Sequence, residues 1–152
     1  MKTIIYYLVS FLAGATAIIQ AGVNGQLKTA VGGPVLASLI SFFVGTLTLG
    51  IVFTVSVING YQLLPSPESL QNTHWWMWIG GILGAFFVFV SILCVPKIGF
   101  ACMFCLMITG QILISLIFDH FGAFGNSIYP MNPYRALGAI MLIGGVYLIQ
   151  TH

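Results

Sequence analysis

No charged residue lies between Lys97 and Asp119, and that interval contains CLMITGQILISLIF, residues 105–118, with Gln111 set in an otherwise apolar run. A helix needs about 20 apolar residues to cross a bilayer core, and this interval is of that order. Burying an uncompensated amide costs several kcal/mol, so Gln111 needs a partner. The surrounding chain follows the same rule: 59% of its 152 residues are hydrophobic and 4% are charged. A soluble domain is about 25% charged, so most of this chain is expected in lipid. Nucleic-acid binding and soluble enzymology are excluded as function classes. The formal net charge of +2 is too small to demand an anionic partner.

The spacing predicts an all-α, polytopic integral membrane protein: one domain over residues 1–152 with five transmembrane helices. They run at about 4–23, 35–58, 75–95, 100–118 and 134–150. NGQLK ends the first, Pro34 suits the first turn of the second, and Pro96, Lys97 and Gly99 form a tight turn after the third. The last helix is the shortest, because Ala136 to Ile149 spans only about 21 Å of a roughly 30 Å core. Snorkelling by Arg135 and the polar end QTH cover the shortfall.

The N-terminal run imitates a secretory signal, with Lys2 ahead of an apolar stretch and an A-x-A at Ala15 and Ala17. It continues through IIQAGV, however, and is expected to be retained as the first span. Cys102 and Cys105 form a C-x-x-C inside an apolar helix without a βαβ pattern, which reads as packing rather than redox chemistry. His74, His120 and His152 fall in loops or at the terminus without partners at ligand spacing, so no metal site and no cofactor are expected.

Tyr6, Tyr7, Tyr61, Trp75, Trp76, Trp78, Phe121 and Tyr134 fall toward the N-terminal side of the membrane, as in an interfacial belt. Five crossings put Lys2 and Arg135 on one side, and Lys28 and Lys97 on the other. The positive-inside rule then returns no orientation. Lipids or partners break the tie, or the chain inserts both ways up.

Contacts between helices in lipid rely on small and polar residues. Ala13, Ala17 and Ala21 recur at four-residue spacing, beside a second stripe of Thr16, Gln20 and Asn24. The second helix aligns Ser38, Ser41, Gly45 and Thr48. The third carries Gly80 and Gly84, with Phe87 and Ser91 continuing one face. Gln111 and Ser115 share a face of the fourth, and Gly138 and Gly145 lie two turns apart in the fifth. Close packing accounts for the glycines and alanines. For Gln20, Asn24 and Gln111, structural glue and the lining of a cavity both remain open. No ionisable side chain lies deep in a span, so a buried-acid proton relay is unsupported. No nucleophile–base pair is spaced for catalysis, and the protein is not expected to be an enzyme.

The ordered blocks GATAIIQAGVNGQL, SFFVGTL, WWMWIGGILGAFFV, VPKIG and TGQILISLIFDHFGAFG resemble the YdcZ-type family of the drug/metabolite transporter superfamily, over essentially the whole chain. The resemblance implies a five-helix protein of the bacterial inner membrane that exports a solute. It also implies half of the ten-helix, inverted-repeat architecture of the larger superfamily members, whose oppositely inserted halves hold a site at the membrane midplane. A single copy reproduces this by pairing as a homodimer with an inverted twin, or as a heterodimer with a paralogue. Gln20, Asn24, Gly84 and Gln111 are carried over on these motifs. The chain departs from the four-helix small multidrug-resistance relatives, whose first helix holds a glutamate; here Thr16, Gln20 and Asn24 occupy the first helix.

The expected function is secondary transport of a small neutral or amphipathic solute by a dimer working through alternating access. Gln20, Asn24, Ser41, Gly84, Phe87, Ser91 and Gln111 are the candidate substrate-binding residues. A non-transporting membrane scaffold or lipid-interacting subunit is the competing expectation. It would use the same stripes only for packing.

Overall fold

Helices longer than the apolar runs themselves organise this chain. The computed structural model describes residues 2–151, with helices α1 (Lys2–Val31), α2 (Pro34–Ile58), α3 (Pro67–Gln71), α4 (Ile79–Ile98), α5 (Phe100–Phe121) and α6 (Pro133–Thr151). Short 3₁₀ turns cover Trp75–Trp78 and Ala123–Gly125, and no strand occurs among the described residues. Five segments are long and apolar enough to cross a membrane: Ile4–Val31, Pro34–Ile58, Trp75–Ile98, Phe100–Phe121 and Pro133–Thr151. His152 and the side chain of Lys2, placed by the sequence at the two termini, lie outside the described residues.

Several helix ends differ from the sequence expectation. NGQLK does not end α1, which runs on to Val31 and stops where Gly32 takes a φ of 82°. Tertiary contact outweighs the weak helix propensity of Asn24 and Gly25: Asn24 is buried, and Leu27 and Val31 pack against the core. Pro96 likewise falls inside α4, and the chain turns only at Gly99, where φ is 80°. Proline removes one hydrogen bond from the last turns of α4, but the helix ends only at Gly99, whose positive φ suits a residue without a side chain. The last helix, α6, runs over Pro133–Thr151, one residue beyond the expected span at each end. Its 19 residues make about 28 Å, but the apolar part from Ala136 to Ile149 stays at about 21 Å, so the shortfall is left to Arg135 and the polar end.

The chain divides into two compact units, Met1–Leu93 and Cys94–His152. In the first, Ala37 of α2 meets Val88 and Ile92 of α4, with Leu27, Val31 and Phe87 packed around them. Ala37 and Ile92 are fully buried, so this cluster fixes the register of three helices. In the second unit, α5 and α6 pack together.

Candidate functional site

The first unit joins two of the candidate residues directly. Asn24 Nδ2 donates to Ser41 Oγ at 3.1 Å, linking α1 to α2. Asn24 is only 5% exposed, so the amide sits inside the helix pair and Ser41 supplies its bond across the contact. Ser38 lies beside the same contact but turns its hydroxyl back to the Pro34 carbonyl at 2.8 Å. Beyond Asn24 and Ser41 the two helices lose each other's cover. Residues 4–14 of α1 and 42–52 of α2 are all exposed. Gln20, one turn from Asn24 on the same stripe of α1, is exposed.

Gly84, Phe87 and Ser91 line one face of α4, and that face is turned toward α2. A Cβ on Gly84 would stand 3.3 Å from Cζ of Phe42, so the missing side chain is what lets the Phe42 ring lie against the α4 backbone. Phe87 packs on the Ala37–Val88–Ile92 cluster. Ser91 is buried, and its hydroxyl donates to the Phe87 carbonyl at 2.8 Å within its own helix. In the second unit Gln111 lies midway along α5 and is exposed. Gln20 and Gln111 make no hydrogen bond to another described residue. Five of the seven candidates therefore occupy the helix contacts of the first unit, while the two glutamines are exposed.

An open depression of about 410 Å³ runs along α2, lined by Thr46, Leu47, Gly50, Ile51, Thr54 and Val55. It is apolar in effect: Thr46 and Thr54 spend their hydroxyls on the carbonyls of Phe42 and Gly50. None of the seven candidates lines it. The cysteines at 94, 102 and 105 are free and half-buried. Among the described residues no three His, Cys, Asp or Glu side chains are grouped to hold a metal ion.

The sequence reading missed a polar clasp between α5 and α6. Arg135 Nη2 donates to Asp119 Oδ2 at 2.6 Å, and its Nη1 donates to the Tyr129 carbonyl at 2.6 Å. The Tyr129 amide returns a bond to the Asp119 carbonyl at 2.8 Å, and the Met131 amide donates to His120 Nδ1 at 3.0 Å. The loop after α5 is thus tied at both ends. Opposite charges at the two ends of one loop were the available signal.

The helices and their neutral polar contacts define a polytopic α-helical membrane protein. The chain belongs to the family described as "Putative inner membrane exporter, YdcZ", whose model matches residues 5–148. It is similar to the inner membrane protein YdcZ of Escherichia coli (strain K12), with 34% identity over 107 residues, 66% of this chain and 68% of that protein. No solved structure matches the chain. With its five spans it is a multi-pass protein of the bacterial inner membrane.

Proposed function

We propose that this protein is a secondary exporter of a small neutral or amphipathic solute, acting as one five-helix domain paired with a second copy. The observation that carries this reading is the exposure of Gln20 and Gln111 on membrane-spanning helices, without a hydrogen-bond partner among the described residues. Hydrocarbon offers an amide nothing to bond, so its partner must come from water, cargo or another chain. A cleft shared between two copies supplies all three in turn as it opens to either side of the membrane. Membership of a family described as inner-membrane exporters supports the same direction.

In this reading Gln20 and Gln111 contact the cargo. Asn24 and Ser41 hold α1 on α2 beside Gln20, while Gly84, Phe87 and Ser91 set the distance between α2 and α4. The absence of an ionisable group deep in any span favours an uncharged cargo, because a buried charge would need a counter-charge. Five crossings per copy make an inverted twin the equivalent of the second half of a ten-helix transporter. A paralogue inserted the other way up would complete the same architecture as a heterodimer.

A non-transporting scaffold or lipid-interacting subunit is favoured by one observation: the Asn24–Ser41 bond and the inward hydroxyl of Ser91 are satisfied within the chain. The glutamines separate the readings. Protein reconstituted in vesicles is assayed for flux of radiolabelled uncharged and amphipathic solutes, with Gln20→Leu and Gln111→Leu as variants. Flux above protein-free vesicles, lowered about tenfold or more in each variant at unchanged helix content, is the expected result; tenfold corresponds to about 1.4 kcal/mol. Vesicles that pass none of the solutes, or variants that transport normally, remove the cargo role of the glutamines.

A further inference from the structure

The connection between α2 and the Trp75–Trp78 turn has the composition of neither a span nor a water-facing loop. It runs NGYQLLPSPESLQNTH, residues 59–74, and carries one charge, Glu68. Tyr61 and Leu63 are 87% and 86% exposed, Leu64 is 69% and Leu70 is 50%. Four large apolar side chains left open to water on one short segment would be unfavourable, and such exposed patches mark a contact surface.

The backbone bounds how deep this segment can lie. Between Gln62 and Ser66 it forms no regular hydrogen-bond ladder, and Pro65 has no amide hydrogen to donate. Bare irregular backbone is not tolerated in the hydrocarbon core. The headgroup layer satisfies both demands, because it accepts apolar side chains on one side and hydrates peptide groups on the other.

The segment is also fastened at that level. The Tyr61 and Gln62 amides fold back onto the Ser56 carbonyl at 2.9 and 3.3 Å, at the end of α2. Ser66 caps α3 by accepting from the Ser69 amide at 3.2 Å. At the far end Trp78 Nε1 donates to Thr73 Oγ1 at 3.2 Å, and the His74 ring stacks on Trp76. Trp75, Trp76 and Trp78 are exposed at the start of a span, where indoles sit among lipid headgroups. The exposed leucines therefore continue the protein's own lipid-facing surface. Within α3, Glu68 and Leu70 are about 200° apart around the helix axis, so one faces away from the surface that the other enters.

We propose that residues 59–74 form an amphipathic foot lying in the headgroup layer, with Leu63, Leu64 and Leu70 in the acyl boundary and Glu68 in water. The occupant of this face is the lipid of the protein's own membrane. It fixes the level of α2 and α4 at that interface.

Single spin labels test the depth. They are placed at Leu63→Cys, Leu64→Cys, Leu70→Cys and Glu68→Cys in full-length protein carrying Cys94→Ser, Cys102→Ser and Cys105→Ser. The protein is reconstituted in vesicles of phosphatidylethanolamine and phosphatidylglycerol. Collision with oxygen should exceed collision with a water-soluble nickel chelate at positions 63, 64 and 70, and the order should reverse at 68. Nickel contact dominating at all four positions would place the segment in water. Shielding of the three leucine positions from both reagents would place it under protein. Either overturns the proposal. A second measurement uses the unmodified chain: a bilayer-partitioned diazirine, photoactivated and mapped by mass spectrometry, should label residues 61–70 as well as the spans. Labelled spans with a clean 61–70 peptide count against the foot equally.

Discussion

Asn24 and Ser41 form a side-chain hydrogen bond from one membrane-spanning helix to the next, 3.1 Å long, with the asparagine almost wholly buried. Such bonds in lipid contribute on average about 0.6 kcal/mol, and up to about 1.7 kcal/mol, because alternatives exist in the unfolded chain. A serine in a helix can instead bond the carbonyl four residues back, as the neighbouring Ser38 does with Pro34. A double-mutant cycle of Asn24→Ala and Ser41→Ala, read by denaturation in mixed micelles, should give a coupling near 0.6 kcal/mol. Asn24→Ala should be the more costly single change, since it also empties a buried position between the helices. Strict additivity of the two changes would show that the bond does not hold the helices together.

The Asp119–Arg135 clasp predicts local rather than global loosening. Its side chains are 39% and 29% exposed, and a pair so open to solvent contributes about 0–1 kcal/mol. Arg135→Gln removes the ion pair and weakens the hold on the Tyr129 carbonyl. Hydrogen exchange at the Tyr129 and Met131 amides should accelerate roughly fivefold, the factor for about 1 kcal/mol, with the spans unaffected. His120→Phe should accelerate Met131 alone, by removing its acceptor. His120→Asn should restore part of the protection, because its carbonyl oxygen can accept the same bond. Equal exchange in all three variants and the parent would show the loop to be held by other contacts.

Gly84 predicts a graded series. The atom that an added Cβ would meet is the far edge of the Phe42 ring, 3.3 Å away, and a ring edge can move by a few tenths of an ångström. Gly84→Ala should therefore be mild, its gain in helix propensity partly offsetting the displacement. Gly84→Leu cannot be accommodated this way and should cost about 1–3 kcal/mol by overpacking. Phe42→Ala should rescue Gly84→Leu in the same denaturation assay. A leucine at position 84 with parental stability would mean that α2 and α4 do not need this close approach.

What was legible in the sequence follows from the solvent. Hydrocarbon forces whole helices, so charge-free runs reveal five spans without knowledge of their packing. Helix ends were less legible where tertiary contact decides them. Asn24 and Gly25 look like a terminus, yet Leu27 and Val31 are needed in the core and carry α1 onward. The candidate residues divide for a related reason. Spacing places Gly84, Phe87 and Ser91 on one face, and their neighbours then decide that it faces α2. For Gln20 and Gln111 spacing gives a face but no occupant. The Asp119–Arg135 pair was invisible to spacing rules because its partners are brought together by a loop.

Charge balance leads to the last prediction, which concerns the inverted pair. Five crossings leave Lys2 and Arg135 opposite Lys28 and Lys97, two cations on each side. With nothing to favour one orientation, a single cysteine introduced beside Lys2, in a background without the three native cysteines, should react with an impermeant maleimide in part of the population. The remainder should react only after the cytoplasmic side is opened. The cation-rich side is retained in the cytoplasm, so removing one charge should tip the mixture. Lys97→Gln should drive the N-terminus inside, whereas Arg135→Gln should drive it outside. If the proposed exporter depends on antiparallel copies, each variant should lose flux when expressed alone. Co-expressing the two should restore it, because together they supply both orientations. Uniform labelling from one side in the parent protein would eliminate the inverted homodimer and leave a paralogue as the required second half.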